Sequence, residues 1–295
     1  MVPVYNYRFT LVLAAATTLL LALSPCACNV PVYRYALERW PADTYDLILY
    51  YEDALSPEQQ QIATQLLQNS VEGTGGWNYR VSLADGNEES QYSLQKWIHE
   101  NQIDSPCMLM RYPPHLGIPT IVDFSPFTEG SIHSLVESPV RHELSTRLVD
   151  GHTAVWIFLE SGNRTKDDFL FQNLNRQLAD LEKNLRLPDL SDVSDADSIE
   201  LDDSKWKDSK WKDSESPLQI KFSTLRVSRN DPQERSLFHQ LIHSEPDLEQ
   251  YGNVPLLFPV FGRGQILYAL VDQGITEENI REAAEFMIGP CTCLI

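Results

Sequence analysis

The segment Thr153–Glu160, Thr-Ala-Val-Trp-Ile-Phe-Leu-Glu, carries six apolar residues in a row. So unbroken a run, rich in aromatic and β-branched side chains, reads as a buried strand. The next residues narrow the fold further. Thr165 is placed to cap a helix, with Asp167 and Asp168 at its positive end. Leu170, Leu174, Leu178, Leu181 and Leu185 draw one apolar stripe along that helix, and Pro188 marks its end. A buried strand feeding an amphipathic helix sets an α/β architecture. A second strand reached through that helix favours parallel pairing.

That second strand is expected at Leu218–Val227. Asp231-Pro232-Gln233-Glu234 then forms a capping box with proline at the first helical position. Leu237, Phe238, Leu241 and Ile242 supply the inner face of its helix. Val254-Pro255 leads into a strand at Leu256–Phe261, Gly262-Arg263-Gly264 makes a turn, and Ile266–Val271 returns as a hairpin. Thr276 caps a last helix with Ile280, Ala283, Ala284 and Met287 inward, and Gly289-Pro290 stops it.

The first half has a similar order. Tyr45–Tyr51 reads as a buried strand, and Ser56-Pro57-Glu58-Gln59 starts a helix with a capping box. Strands follow at Asn78–Leu83 and Met108–Tyr112, with a short helix at Ser93–Glu100 between them. Ile121–Phe124 is a fourth strand. Ser138-Pro139 opens a helix whose inner face is Val140, Leu144 and Leu148.

The two ends of the chain are different material. Phe9–Ser24 is an uncharged apolar run of 16 residues behind Arg8, the pattern of a secretory signal at 1–25. Leu23-Ser24-Pro25-Cys26 resembles the bacterial lipoprotein box, in which the cysteine is acylated. Pro25 departs from that box, so an uncleaved anchor and ordinary secretion stay open beside acylation of Cys26. All three outcomes place the folded part outside the cytoplasm, where disulfides form. The net charge of −19 opposes binding to nucleic acid.

Residues 189–216 hold ten acidic residues against four lysines. They also duplicate Asp203-Ser204-Lys205-Trp206-Lys207 as Asp208-Ser209-Lys210-Trp211-Lys212. This composition favours a disordered acidic insertion.

The strand–helix–strand–helix–strand–strand–helix order resembles the thioredoxin fold. Pro255, just before the third strand of the second half, matches the family's cis-proline position, and Pro119 in Ile118-Pro119-Thr120 is similar to it in the first. The resemblance implies two tandem thioredoxin-like domains, at 26–150 and 151–290, followed by a tail at 291–295. It does not imply thioredoxin activity. The family's Cys-X-X-Cys site falls at Glu52-Asp53-Ala54-Leu55-Ser56 and Glu160-Ser161-Gly162-Asn163-Arg164-Thr165, and neither stretch holds a cysteine. Residues 27–40 and the terminal Gly-Pro-Cys-X-Cys also resemble a group of bacterial envelope lipoproteins, which implies an address.

The remaining chemistry lies in the cysteines. Cys26, Cys28, Cys291 and Cys293 form two Cys-X-Cys pairs at opposite ends of the chain. Cys28, Cys291 and Cys293 are candidates for a disulfide or for a zinc or soft copper site. Cys107, at the start of a strand, is expected to be a buried thiol. His239 and His243 stand four apart on one helical face, but Gln240 replaces the glutamate a zinc protease needs, and no third ligand is near in sequence. Asn163-Arg164-Thr165 reads as a helix start rather than a glycosylation site. The expectation is therefore a protein without cofactor, more scaffold than enzyme. It would be tied to a membrane through a lipid and bind an envelope protein but no nucleic acid. Thiol-redox or metal handling by the terminal pairs is the alternative.

Overall fold

A computed structural model describes residues 28–70, 78–118, 121–136, 138–187 and 219–291. The signal expected at 1–25, Cys26, Pro119, Cys293 and the acidic stretch at 189–216 lie outside the described residues. In chain order the elements are β1 (Cys28–Pro31), α1 (Val32–Arg39), β2 (Tyr45–Tyr51), α2 (Pro57–Asn69), β3 (Tyr79–Asp85), α3 (Tyr92–Glu100) and β4 (Cys107–Arg111). They continue with β5 (Ile121–Pro126), α4 (Glu129–Val136), α5 (Pro139–Val149), β6 (Ala154–Leu159), α6 (Arg164–Asn184) and β7 (Phe222–Val227). The last are α7 (Arg235–Ile242), β8 (Leu256–Phe261), β9 (Gln265–Ile266), β10 (Leu270–Val271), α8 (Glu277–Ile288) and β11 (Pro290–Cys291).

Nine of these strands build two mixed sheets, and β1 and β11 pair as a separate two-stranded one. In the first the order is β3-β2-β4-β5, and in the second β10-β8-β6-β7, with β9 also paired to β8. β2 runs parallel to β3 and antiparallel to β4, just as β6 runs parallel to β7 and antiparallel to β8. Each parallel pair is joined by a crossover helix, α2 or α6.

The unbroken apolar run in β6 is explained by helices on both faces of its sheet. Ala154, Trp156 and Phe158 face a core built with α6 and α8. Val155, Ile157 and Leu159 face one built with α7. All six residues of β6 are buried. The first sheet is covered likewise. Leu47 and Leu49 pack with Ala63 and Leu66 of α2, while Ile48 and Tyr50 pack with Ile98 of α3.

Several local expectations hold in detail. Ser56 and Gln59 form the reciprocal capping box on α2, and the Thr276 side chain caps α8. Others are corrected. Asn163, not Thr165, caps α6. Asp231 caps a short 3-10 turn at Pro232–Glu234 rather than a box. Glu234 turns inward instead, accepting Val140 N–H at 2.8 Å and the Ser138 hydroxyl at the start of α5. The return strand at Ile266–Val271 is split into β9 and β10. Pro259, in the facing part of β8, has no N–H to continue the ladder, and only its carbonyl is used, by Leu267 N–H at 3.0 Å.

Packing also crosses between residues 26–150 and 151–290. Val32, Tyr33 and Ala36 of α1 sit in the core of the second sheet, with Trp156, Met287 and Cys291. Leu148 of α5, with Val140 and Leu144 beside it, joins the opposite face of that same sheet. Gly262 is required where α1 docks: its φ is 59°, and a Cβ there would lie 2.6 Å from that of Ala36. The two halves meet through polar contacts as well. The Tyr112 hydroxyl donates to the Gln240 carbonyl, and Arg235 donates to the Phe124 carbonyl at 3.1 Å.

Candidate functional site

In sheets with parallel pairs, ligands and catalytic groups gather at the carboxyl ends of the strands. Here a glutamate stands at the same point in both halves. Glu52 follows Tyr51 at the end of β2, and Glu160 follows Leu159 at the end of β6.

The site after β6 is a charge lattice around Arg226 of β7. Arg226 Nε donates to Glu160 Oε1 at 2.7 Å, and its Nη1 donates to Asp168 Oδ1 at 2.7 Å. The guanidinium also stands 5.0 Å over the Phe171 ring. Hydrogen bonding to Arg226 holds the Asp168 carboxyl below its ordinary range. Asp167, only 1% exposed, accepts from Ser161 N–H at 3.1 Å, the Ser161 hydroxyl at 2.8 Å and Gly162 N–H at 3.1 Å. Gly162 has a φ of 90°, which aims this loop back at the helix start. The result is a surface cavity of about 360 Å³ lined by Glu160, Gly162, Arg164, Asp167, Asp168 and Arg226. The nearby Ser161 hydroxyl is spent as a donor to Asp167, and the residues lining the cavity include neither a hydroxyl nor an imidazole.

Arg229 closes the back of this loop. It donates to the Glu160 carbonyl at 2.8 Å and to the Val254 carbonyl at 2.7 Å. The Val254–Pro255 bond is therefore fixed from the same side, and it is trans. The cis peptide among the described residues is Ser105–Pro106, immediately before β4. Pro255 is thus corrected as a cis-proline. Pro106 precedes β4, the third strand of the first sheet in chain order, and Pro119 lies outside the described residues.

The site after β2 is organised by Glu52. Its Oε1 accepts the Tyr50 hydroxyl at 2.6 Å and shares a 2.8 Å hydrogen bond with His99 Nε2. The Tyr50 bond is the main cause that lowers the Glu52 pKa from its ordinary 4.5. Glu52 N–H donates to Ser105 Oγ at 3.0 Å, and Asn87 Nδ2 donates to the Glu52 carbonyl at 2.6 Å. Gly86 permits the cluster: a Cβ there would lie 2.6 Å from Tyr50 Cζ and 2.9 Å from Glu52 Cγ. Cys107 faces Tyr50 across the ladder and is fully buried. Burial first, and then the Glu52 charge, push its thiol up to about 11. It is a protonated, inert thiol at neutral pH.

The histidine pair lies at the end of α7, with His239 inside the helix and His243 just beyond it. The His239 and His243 rings stack with centroids 5.9 Å apart, and His243 Nε2 pairs with Glu249 at 2.9 Å. Among the described residues no group of three His, Cys, Asp or Glu side chains could hold a metal ion. One cysteine of each terminal pair, Cys28 and Cys291, is brought close through the backbone. β1 and β11 form an antiparallel ladder in which Cys28 is the partner of Cys291.

Sequence reading missed Glu52, Tyr50, His99, Arg226 and Arg229. The available signal was positional: a glutamate closes the first strand of each half, in Tyr50-Tyr51-Glu52 and Phe158-Leu159-Glu160.

No family model and no curated protein matches the chain. Among solved structures, the chain is similar to the first two thioredoxin domains of Naumovozyma dairenensis Eps1p. The identity is 9%, covering 88% of this chain and 98% of that one, with a TM-score of 0.23. The mixed α/β fold itself rests on the two sheets described above.

Proposed function

We propose that this chain is a non-enzymatic, lipid-anchored protein of the bacterial cell envelope, whose two tandem thioredoxin-like units serve as an interaction scaffold. The observation that carries this reading is the state of the two strand ends. Where dithiol exchange needs a poised thiolate at a helix start, each half presents a glutamate already hydrogen-bonded by its own neighbours. Those neighbours are Tyr50 and His99 in the first half and Arg226 in the second. Cys107, the thiol opposite Tyr50 in the first half, is buried and protonated. Cys26 supplies the anchor in this reading.

Two measurements test it. Labelling with a radioactive fatty acid should mark the full-length chain and fail on Cys26→Ser; an unlabelled parent chain refutes the anchor. Purified full-length protein should give no turnover in a disulfide-reduction assay. Turnover that disappears when Cys291 and Cys293 are replaced by serine refutes the scaffold reading.

A second reading, thiol or metal handling by the terminal Cys-X-Cys pairs, is favoured by the backbone pairing of Cys28 with Cys291. One tightly held zinc or copper ion per purified chain would establish it over the first.

A further inference from the structure

We infer that Cys28 and Cys291 form a disulfide that clasps the two ends of the chain together. β1 and α1 make a strap that precedes the first sheet in sequence but is docked on the second. Val32 N–H donates to the Gly289 carbonyl at 3.0 Å, and Arg263 Nε donates to the Leu37 carbonyl at 2.8 Å. Val32, Tyr33 and Ala36 bury their side chains in the second core. The strap is therefore held at a fixed position and register before any covalent bond is considered.

The register supplies the bond. β1 and β11 are antiparallel, with Cys28 opposite Cys291 and Pro31 opposite Pro290, and an irregularity lies between them. Directly opposed residues in such a ladder have Cα atoms about 4.5–5.5 Å apart. That falls within the roughly 4.4–6.8 Å span a disulfide bridges without backbone movement. Cys291 is also only 4% exposed and part of the second core, so a bond formed there is shielded from reductants.

In forming the bond, the Cys28 and Cys291 thiols each give up a proton, one Sγ–Sγ bond is made, and the S–S bond of a disulfide donor is broken, its two sulfurs taking up the two protons. The two electrons released reduce that donor, such as glutathione disulfide or a protein disulfide, to two thiols by exchange. The clasp goes beyond the scaffold reading and does not depend on acylation of Cys26.

The test uses the full-length chain, with free thiols blocked by N-ethylmaleimide, after equilibration with glutathione disulfide. Proteolysis without reduction followed by mass spectrometry should recover one linked peptide pair containing Cys28 and Cys291. Recovery of both residues alkylated overturns the inference, as does either joined to Cys26 or Cys293. The same map from Cys26→Ser protein should be unchanged, which separates this result from any failure of the anchor. Tryptic cleavage after Arg34 and Arg39 gives a functional readout. It should be at least tenfold faster in Cys28→Ala than in the oxidised parent, and equally fast in the reduced parent. Equal rates in oxidised parent and Cys28→Ala overturn the clasp even if the fold is otherwise intact.

Discussion

Replacing Asp167 with alanine should cost about 3 kcal/mol of stability without abolishing folding. The figure comes from three hydrogen bonds to one carboxylate, at 3.1, 2.8 and 3.1 Å. Hydrogen bonds to charged groups contribute roughly 1.5–3 kcal/mol each. The sum is reduced because Ser161 is half-buried and Gly162 is exposed, so water re-solvates their donors. Asp167→Asn keeps the volume and one acceptor oxygen and should cost about 2 kcal/mol. Urea unfolding followed by circular dichroism and tryptophan fluorescence reads both values, with an unchanged denaturant slope showing that the unfolded state is not altered. In thermal unfolding the alanine variant should melt roughly 6–12 °C lower, at about 2–4 °C per kcal/mol. Both variants lying within about 0.5 kcal/mol of the parent, the range expected of an ordinary surface change, would refute this role. A carboxylate that can be removed at no cost, with loss of a measurable activity, would be a functional group and not a fastening of the loop.

Three further outcomes are expected. Glu52 has a depressed pKa in the folded state, so its contribution is present above pH 4.5 and is lost as pH falls through the native value. Tyr50→Phe removes the main cause of the depression, so its urea midpoint should fall less steeply than the parent's below pH 4.5; parallel acid limbs would contradict this. Gly86→Ala should destabilise by about 1–3 kcal/mol, as expected for overpacking, because the new methyl meets Tyr50 and Glu52. A neutral result in urea unfolding would show that the cluster can open. Tyr112→Phe should cost about 1–2 kcal/mol by leaving the Gln240 carbonyl without its donor across the two halves. If that contact couples the halves, the denaturant transition should also broaden, and a sharp, unshifted transition argues against it.

The parts of this fold that could be read from sequence are those fixed by local chemistry. The apolar run of β6, the leucine stripe of α6 and the capping box at Ser56 and Gln59 each need only near neighbours. The features that escaped reading depend on residues far apart. Glu234 looked like the closing member of a local box, but it is consumed by Ser138 and Val140, nearly a hundred positions earlier. The lead-in at 29–44 carries a short helix whose core partners are mostly at the other end of the chain. The candidate site was only half legible. The missing thiols were plain, but the glutamates gain meaning only beside Tyr50, His99 and Arg226, which reach them from neighbouring strands and helices.

The docking of α1 on the second sheet has a consequence in time. A ribosome adds roughly 5–20 residues per second, so Val32, Tyr33 and Ala36 are made tens of seconds before Ala283, Ala284 and Met287 of α8. Until then the strap's apolar face lacks its α8 neighbours, whereas the first sheet, with its own two cores, has every strand it needs once Pro126 is made. The earliest described segment of the chain is thus among the last to reach its place, and the second core stays incomplete until it returns.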